Sequence, residues 1–337
     1  MEGRASKDTG RIAVEAPLDP TLPICDAHHH LWRRPAGDYL LDELLRDLRS
    51  GHNIVSTVAI ECRFGYRADG AEELKPIGET EFLESVANRV RADSTIEPRV
   101  AAAIVGHADL ALGDAVAPVL EAHLAASPTH FRGIRHSTTW DQSDALRSDA
   151  PAGLLADRNF RRGFGRLQKL GLSFDAWLYH PQLPELADLA RVFPGVTIVL
   201  DHIGAPLGVG PYAGMSREVY QAWSKGIATV AACPNVAVKL GGVGSSRSGY
   251  DWHERPVRPS STELAEALKP YIERCIETFG VERCMFESNF PVEKSSNDYV
   301  NLWNAFKRIA EKYSDSERAA LFHDTAARVY RIQKFVP

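Results

Sequence analysis

The stretch that decides the fold is "ICDAHHHLW", residues 24–32, in which a short apolar run leads into three consecutive histidines. Seven similar apolar runs follow along the chain, and segments with helical periodicity separate them. The eight predicted strands cover residues 23–30, 56–61, 99–106, 131–136, 172–178, 197–204, 235–242 and 284–290. Strand and helix alternating eight times over this length predict a single (β/α)₈ TIM barrel.

The competing fold is a doubly wound open sheet, which normally carries a glycine-rich phosphate turn after its first strand. Here the first strand ends in histidines, so the pattern favours the barrel. Residues 23–337 are assigned to it, and residues 1–22 form a polar lead-in that we expect to be disordered. Within the helices, Pro118 predicts a kink and Pro270 a break. "SDSE" predicts a capping box from Ser314 to Glu317 at the start of the last helix.

Four long loops follow predicted strands, at residues 62–78, 137–156, 205–215 and 243–262. In a (β/α)₈ barrel, loops after strands rise over the C-terminal face, where barrel enzymes carry their active sites. We therefore expect these loops to build a pocket or lid over that face.

Composition narrows the class of protein. The chain has 337 residues and a net charge of −5 without a basic patch, which argues against nucleic acid as a partner. Its five scattered cysteines form no CxxC pair and indicate reduced thiols in a cytoplasmic protein. No secretory signal or membrane-spanning run is recognisable. The expected partner is a small-molecule substrate, and a homodimer is compatible with the sequence.

Histidines mark the predicted strand ends. His28 and His30 are two residues apart on a strand, so their side chains project to one side, while His29 projects to the other. His180 follows the fifth strand and His202 ends the sixth. Together they predict a divalent-metal site, zinc or manganese, at the barrel mouth. The alternative is that each is a buried, hydrogen-bonded histidine without a ligand role.

These motifs carry a resemblance to a known family. "DAHHHLW", "DHIG" and "SNFP" resemble the amidohydrolase superfamily, specifically its amidohydrolase-2 type of TIM-barrel hydrolases, over residues 23–331. That group includes sugar lactonases, 2-pyrone-4,6-dicarboxylate lactonase, 4-sulfomuconolactonase and, more distantly, non-oxidative decarboxylases of aromatic acids. The resemblance implies that His28 and His30 are the metal-binding pair of strand one. It matches His180 and His202 to the histidines of strands five and six.

One departure concerns the eighth strand. The family motif there resembles "GSDWP", whose aspartate binds metal and acts as general base, whereas this chain has Asn289 in "ESNFP". A neutral amide cannot accept a proton at neutral pH. Three explanations stay open: a carboxylate, Glu287 or Glu61, acts as base; a histidine such as His136 or His253 does so; or the site only binds ligand. The two glutamates could equally form structural ion pairs with Arg63 or Arg135.

Cationic and aromatic residues suggest the kind of substrate. Arg63, Arg135 and Lys239 near strand ends would favour an anionic substrate, or could be solvated surface residues. Loop aromatics suit a flat or cyclic ligand, or pack the loops. The predicted substrate-binding residues are Arg63, Tyr66, Arg135, His136, Lys239, Trp252 and His253.

The leading hypothesis is hydrolysis of a cyclic ester (a lactone) of anionic or aromatic-catabolic origin. The metal or a His28, His30 and His180 cluster would polarise the carbonyl, and a carboxylate or histidine would activate water. Some family members work without tightly bound metal, so the resemblance also allows a weakly bound metal or none. Two alternatives remain: decarboxylation of an aromatic acid on the same scaffold, and a non-catalytic ligand-binding barrel.

Overall fold

A computed structural model describes residues 15–35 and 37–332. In this part of the chain, eight parallel strands pair in chain order around a barrel. A bridge between His29 and Phe290, four residues beyond the end of the last strand, closes the barrel onto the first strand. The strands are β1 (Ile24–His29), β2 (Ile54–Ile60), β3 (Arg99–Gly106), β4 (Phe131–Arg135), β5 (Ser173–Ala176), β6 (Ile198–Leu200), β7 (Val236–Leu240) and β8 (Cys284–Phe286). The predicted (β/α)₈ barrel is confirmed.

Helices connect the strands and surround the barrel. They are α1 (Leu41–Leu48), α2 (Ile77–Ala92), α3 (Ala117–Ala126), α4 (Arg158–Leu170), α5 (Leu183–Val192), α6 (Ser216–Ala231), α7 (Ser261–Phe279), α8 (Tyr299–Ile309), α9 (Asp315–Ala319) and α10 (Thr325–Val329). In α1 the leucines at positions 41, 44, 45 and 48 are all buried. Their spacing of three and four residues places them on one face, which packs on the barrel.

The two prolines behave differently from the prediction. The segment before α3 breaks at Gly113, which has φ +62°, while Pro118 lies in the first turn of α3, where proline is well tolerated. The predicted break at Pro270 is wrong, because α7 runs through it. Pro270 is exposed. The carbonyl that loses its hydrogen bond can therefore face water, and the buried face of the helix keeps its packing.

The mouth of the barrel is formed by turns where extended strands were predicted. β6 ends at Leu200 and β8 at Phe286, so His202 and Asn289 lie beyond their strands. His202, Ile203 and Asn289 have φ values of 53°, 50° and 54°. Left-handed backbone is uncommon outside glycine and is typical of functional sites, where surrounding structure holds it in place.

The barrel interior is apolar at one end and charged at the other. A buried apolar cluster occupies one end and includes Cys25, Val58, Met285 and, from the C-terminal segment, Tyr330. Buried charged groups occupy the other end, towards the mouth. The helix that leads to Tyr330 begins with the predicted capping box, in which Ser314 Oγ accepts from the Glu317 backbone N–H.

Several remaining expectations concern the periphery. Glu15 of the lead-in accepts a hydrogen bond from the Ser261 backbone, while residues 1–14 lie outside the described part. The cysteines are all free, as predicted. Among the described helices, none has the length and apolar character needed to cross a membrane.

Candidate active site

His28 lies at the centre of the polar half of the barrel and is fully buried. Its Nε2 lies 3.2 Å from Nε2 of His30 and 3.2 Å from the Arg135 guanidinium, which donates to it. Its Nδ1 lies 3.0 Å from Glu287 Oε2. The Lys239 ammonium lies 3.1 Å from the same Nδ1, so this nitrogen sits between the Glu287 carboxylate and a cation. His30 donates through Nδ1 to the Ile60 carbonyl at 2.9 Å, which fixes its ring.

His202 and Glu287 form a tight pair. His202 Nδ1 donates to Glu287 Oε1 at 2.7 Å, and the backbone N–H of His202 donates to the same oxygen at 3.2 Å. Two glycines after β7 make room for this pair. A Cβ on Gly242, which has φ +67°, would meet His202 Nδ1 at 2.0 Å, and one on Gly241 would meet the Glu287 carbonyl oxygen at 2.4 Å. The "LGG" sequence is therefore required by the close approach of these two residues.

A chain of buried ion pairs underlies the histidines. Lys239 Nζ contacts Asp175 at 2.7 Å and Asp201 at 2.9 Å, and all three are fully buried. Arg135 donates through Nε to Glu61 at 2.8 Å and lies 3.5 Å from Asp201. Glu61 therefore forms the ion pair with Arg135 that the sequence offered as the alternative to a catalytic role.

The pKa values follow from these contacts. Burial acts to raise the pKa of Asp201, but the Lys239 ammonium and His28 outweigh it and hold that pKa well below its usual range. Burial also acts to lower the pKa of Lys239, but the carboxylates of Asp175 and Asp201 outweigh it and raise that pKa. The pKa of His28 falls to about 4, because burial and the nearby Lys239 charge both oppose protonation. The ammonium is thus charged and His28 neutral at pH 7.

This cluster fits a divalent cation. Four carboxylates, belonging to Glu61, Asp175, Asp201 and Glu287, face only two permanent cations, Arg135 and Lys239. Buried charge of one sign is costly unless it is compensated. One nitrogen each of His28 and His202 and one oxygen of Glu287 lie within 4.8 Å of one another, and Glu287 Oε2 has no hydrogen-bond partner. Nitrogen and carboxylate donors of this kind suit zinc and similar ions.

Asn289 lines the same cavity as His202. Its backbone N–H donates to the His28 carbonyl at 2.9 Å, which joins the turn after β8 to β1. Asp26 secures the same junction by accepting from the Ser288 N–H at 2.9 Å and from the Tyr299 hydroxyl at 3.0 Å. The side-chain Oδ1 of Asn289 is buried and has no partner. A buried acceptor without a partner is rare in folded proteins, which marks Asn289 as a candidate for a role in the site.

A cavity of about 810 Å³ opens above these residues, and all four long loops contribute to it, as predicted. His30, His202, Glu61 and Asn289 form part of its lining. Six arginines line it, against two carboxylates, Glu61 and Asp149. The arginines are Arg33, Arg34, Arg63, Arg135, Arg147 and Arg247. The pocket is thus strongly cationic in a chain whose net charge is −5.

His180 does not join the other histidines, which corrects its assignment as a metal ligand and catalytic residue. β5 ends at Ala176, and the chain then enters a short turn at His180–Gln182. This turn carries the ring under the neighbouring loop. There Nδ1 accepts from the Leu207 N–H at 3.4 Å, and the ring packs against Tyr212. From β5 it is the Asp175 side chain that reaches the buried cluster.

Most of the predicted substrate-binding residues also lie elsewhere. His136 accepts from the Leu110 N–H and packs near Phe160, Trp252 stacks on Tyr250, and His253 is exposed beside Glu254. Tyr66, Trp252, His253 and His136 are all absent from the cavity lining, and Lys239 is buried below it. Of that set, Arg63 and Arg135 line the cavity.

Sequence reasoning missed Asp175, Asp201, Trp177, Arg34 and Arg247. A usable signal existed for the first two, because each acid lies in or directly after an apolar, fully buried strand, as does Lys239. Ionised groups in such positions need a partner of opposite charge. No comparable signal marked the loop residues Arg34 and Arg247.

The comparisons with known proteins agree with this geometry. Residues 25–332 match the family described as Amidohydrolase. The chain belongs to the amidohydrolase family. An uncharacterized protein of Sinorhizobium fredii, y4mH, is 34% identical over 333 residues, which cover 92% of this chain and 99% of that protein.

Two further relatives of this amidohydrolase come from Burkholderia multivorans. An L-fucono-1,5-lactonase is 29% identical and covers 91% of this chain and 95% of its own length. The crystal structure of an amidohydrolase with bound zinc superimposes with a TM-score of 0.70 at 26% identity, covering 92% of this chain and 99% of the other. The family match over residues 25–332 includes every residue of the candidate site.

Glu293, behind the pocket wall, gives a pH-dependent prediction. It is fully buried with Oε1 unpartnered, and burial raises its pKa to about 7 despite the nearby Arg247. A carboxyl whose pKa is raised on folding stabilises the protein at low pH and loses that contribution as pH rises through the folded pKa. Glu293→Gln should therefore increase the free energy of unfolding by about 1–3 kcal/mol at pH 8 and change it little at pH 4. Urea unfolding at both pH values measures this, and an equal effect at the two would count against it.

Proposed function

We propose that this amidohydrolase hydrolyses a lactone, with His202 as the general base and Glu287 as the residue that orients it. The observation that carries the proposal is the 2.7 Å hydrogen bond from His202 Nδ1 to Glu287 Oε1 at the floor of the cavity. It is supported by the relative named L-fucono-1,5-lactonase, which matches this chain over nearly its full length.

The chemistry of the pair suits water activation. Burial holds the pKa of His202 well below its usual range, so the ring is neutral at pH 7. With Nδ1 donating to Glu287, Nε2 is the nitrogen free to accept a proton. Glu287 is buried and does not line the cavity, so it acts on substrate only through His202. This arrangement supplies the acid–base function that Asn289 cannot.

The hydrolysis then follows with all atoms accounted for. A water molecule that donates one hydrogen bond to Asn289 Oδ1 attacks the lactone carbonyl carbon, while His202 Nε2 takes its other proton. The ring C–O bond breaks, and the proton on His202 passes to the departing ring oxygen. The product is an open-chain hydroxy acid. A divalent ion held by His28 and the unpartnered Oε2 of Glu287 would polarise the carbonyl and lower the pKa of water, and it would leave His202 Nε2 free to act as base.

The lining of the cavity favours an anionic substrate of flat or cyclic shape. Arginines outnumber carboxylates three to one around it, and the indole rings of Trp32 and Trp177 also line it. A cationic pocket in a negatively charged protein concentrates anions locally. Lactones that carry an acidic group, including those formed in aromatic catabolism, have this charge and shape.

Proton release from a panel of lactones tests the function. Purified protein supplemented with zinc or manganese is incubated with sugar lactones and with carboxylated lactones, and acid is titrated at constant pH. One proton per lactone opened is expected. Release of CO₂ from aryl carboxylic acids, with no acid formed from any lactone, would instead support a decarboxylase.

Asn289 allows a sharper test on whichever lactone turns over. Asn289→Asp keeps the Oδ1 acceptor but adds a negative charge to a cluster that already has excess carboxylates. We expect kcat/KM to fall by about tenfold or more, because the added charge repels the anionic substrate and disturbs the His202 pair. Initial rates at saturating and limiting lactone measure this. A gain in hydrolysis would show that the chain lacks a working base.

A further inference from the structure

The cavity arginines differ in whether a carboxylate already neutralises them. Arg135 is paired with Glu61 at 2.8 Å. Arg147 and Arg63 share Asp149, at 2.9 Å and 3.9 Å. These guanidinium groups are therefore committed, in whole or in part, to carboxylates of the protein itself.

Arg247 has no such partner. No carboxylate in the described part of the chain lies within 4.0 Å of its guanidinium group. Its guanidinium carbon lies 4.7 Å from the centroid of the Trp177 ring and stacks over it. The Trp177 ring in turn contacts the His202 ring, with centroids 4.9 Å apart. Arg247 is thus an unpaired planar cation separated by one indole from the proposed base.

The loop that carries Arg247 is held firmly. The Gly208 N–H donates to the Arg247 carbonyl at 2.8 Å. A Cβ on Gly208 would meet the Ser248 carbonyl oxygen at 2.3 Å, so the two loops approach closely only because residue 208 is a glycine. Arg247 itself is half-buried. A guanidinium fixed in this way loses little conformational entropy when it binds an anion.

The acidic groups near Arg247 leave its charge available. Glu293 and Asp149 are the carboxylates that affect it electrostatically. Glu293 is buried and hydrogen-bonded to the Asn297 amide at 3.2 Å, and Asp149 is already shared by two other arginines. Arg34, also unpaired with any carboxylate in the described ranges, donates to the Cys62 carbonyl and is exposed at the rim.

We propose that Arg247, stacked on Trp177, binds a carboxylate substituent of the substrate and so selects lactones that carry an acid group. The proposal rests on lactone hydrolysis for the reaction, but the anion site itself is a matter of binding. Guanidinium is suited to bidentate capture of a planar carboxylate. The indole beneath it offers an apolar surface to the ring of the lactone.

Binding of lactams tests the anion site without any hydrolysis. Pyroglutamate is a lactam with a ring carboxylate, and pyrrolidone is the same ring without it. Calorimetry of the wild-type protein should show pyroglutamate binding at least about tenfold more tightly than pyrrolidone. Arg247→Gln should remove this preference, and Arg247→Lys should restore part of it. Arg147→Gln, a matched cavity arginine already paired with Asp149, should change pyroglutamate affinity less than about twofold.

Kinetics on two lactones separates the two proposals. γ-Carboxy-γ-butyrolactone and γ-valerolactone differ in a carboxylate against a methyl group. Arg247→Gln should raise KM for the first by about tenfold and leave KM for the second unchanged.

The combined outcomes distinguish the anion site from lactone hydrolysis. If neither lactone is hydrolysed but pyroglutamate binding depends on Arg247, the anion site stands and lactone hydrolysis fails. If Arg247→Gln weakens pyroglutamate and pyrrolidone equally, or Arg147→Gln does as much, the anion site is overturned. Equal midpoints of thermal unfolding for the wild-type protein and the variants would exclude misfolding as the cause of any loss.

Discussion

Glu287→Gln is expected to lower kcat for lactone hydrolysis by about 10²–10⁴-fold while KM changes little. Glu287 accepts hydrogen bonds from His202 at 2.7 Å and is in contact with His28 at 3.0 Å. A glutamine keeps the size of the side chain but cannot stabilise the charge that develops on His202 when it takes a proton from water. Initial-rate kinetics by proton release measures the change.

Glu293→Gln is the matched control for this variant. Glu293 is also a fully buried glutamate near the end of the barrel, but its side chain is bonded to Asn297 and not to His202. The kcat of the Glu293→Gln variant should remain within about threefold of the wild-type value. An equal loss in both variants, or none in Glu287→Gln, would show that Glu287 has no special role in the reaction.

Lys239→Met is expected to have the largest effect on stability, a loss of about 3–5 kcal/mol in the free energy of unfolding. Methionine has a similar volume, so the change removes the charge without leaving a large cavity. Asp175 and Asp201, each within 3 Å of Nζ, would be left buried without their shared cation. Removing one partner of a buried ion network is costly because the remaining charges stay desolvated.

Lys294→Met provides the comparison for that loss. Lys294 contacts Asp47 at 2.6 Å, but its side chain is 44% exposed. Water screens such a pair, and the expected cost is below about 1 kcal/mol. Urea denaturation followed by far-UV circular dichroism measures both variants. Similar losses for the two lysines would mean that the buried network contributes no more than a surface ion pair.

The fold could be predicted from local patterns, whereas part of the site could not. Eight apolar runs of strand length, separated by helical segments, specify a barrel because each strand must be covered on its outer face. His28, His30 and His202 were placed correctly at the mouth, since they lie at or directly after a strand end. His180 was misplaced because it lies four residues beyond the end of β5, and the turn there directs the ring away.

The partners of the site residues were beyond prediction from the sequence. Whether Glu61 serves catalysis or an ion pair depends on the position of Arg135, which is 74 residues away and two strands along the barrel. The role of Arg247 depends on which loop packs beside it, and long loops carry no periodic pattern. By contrast, Asn289 in place of the expected aspartate indicates from the sequence alone that another residue, such as Glu287, must take part in acid–base chemistry.

A double-mutant cycle on His202 and Glu287 tests the central claim most directly. Lactone hydrolysis is measured for His202→Gln, Glu287→Gln and the double variant under one set of conditions. If the two residues act as one unit, the double variant should be about as active as the less active of the two single variants. The two effects are then strongly non-additive. Losses that multiply in the double variant would contradict the account, because each residue would then contribute independently.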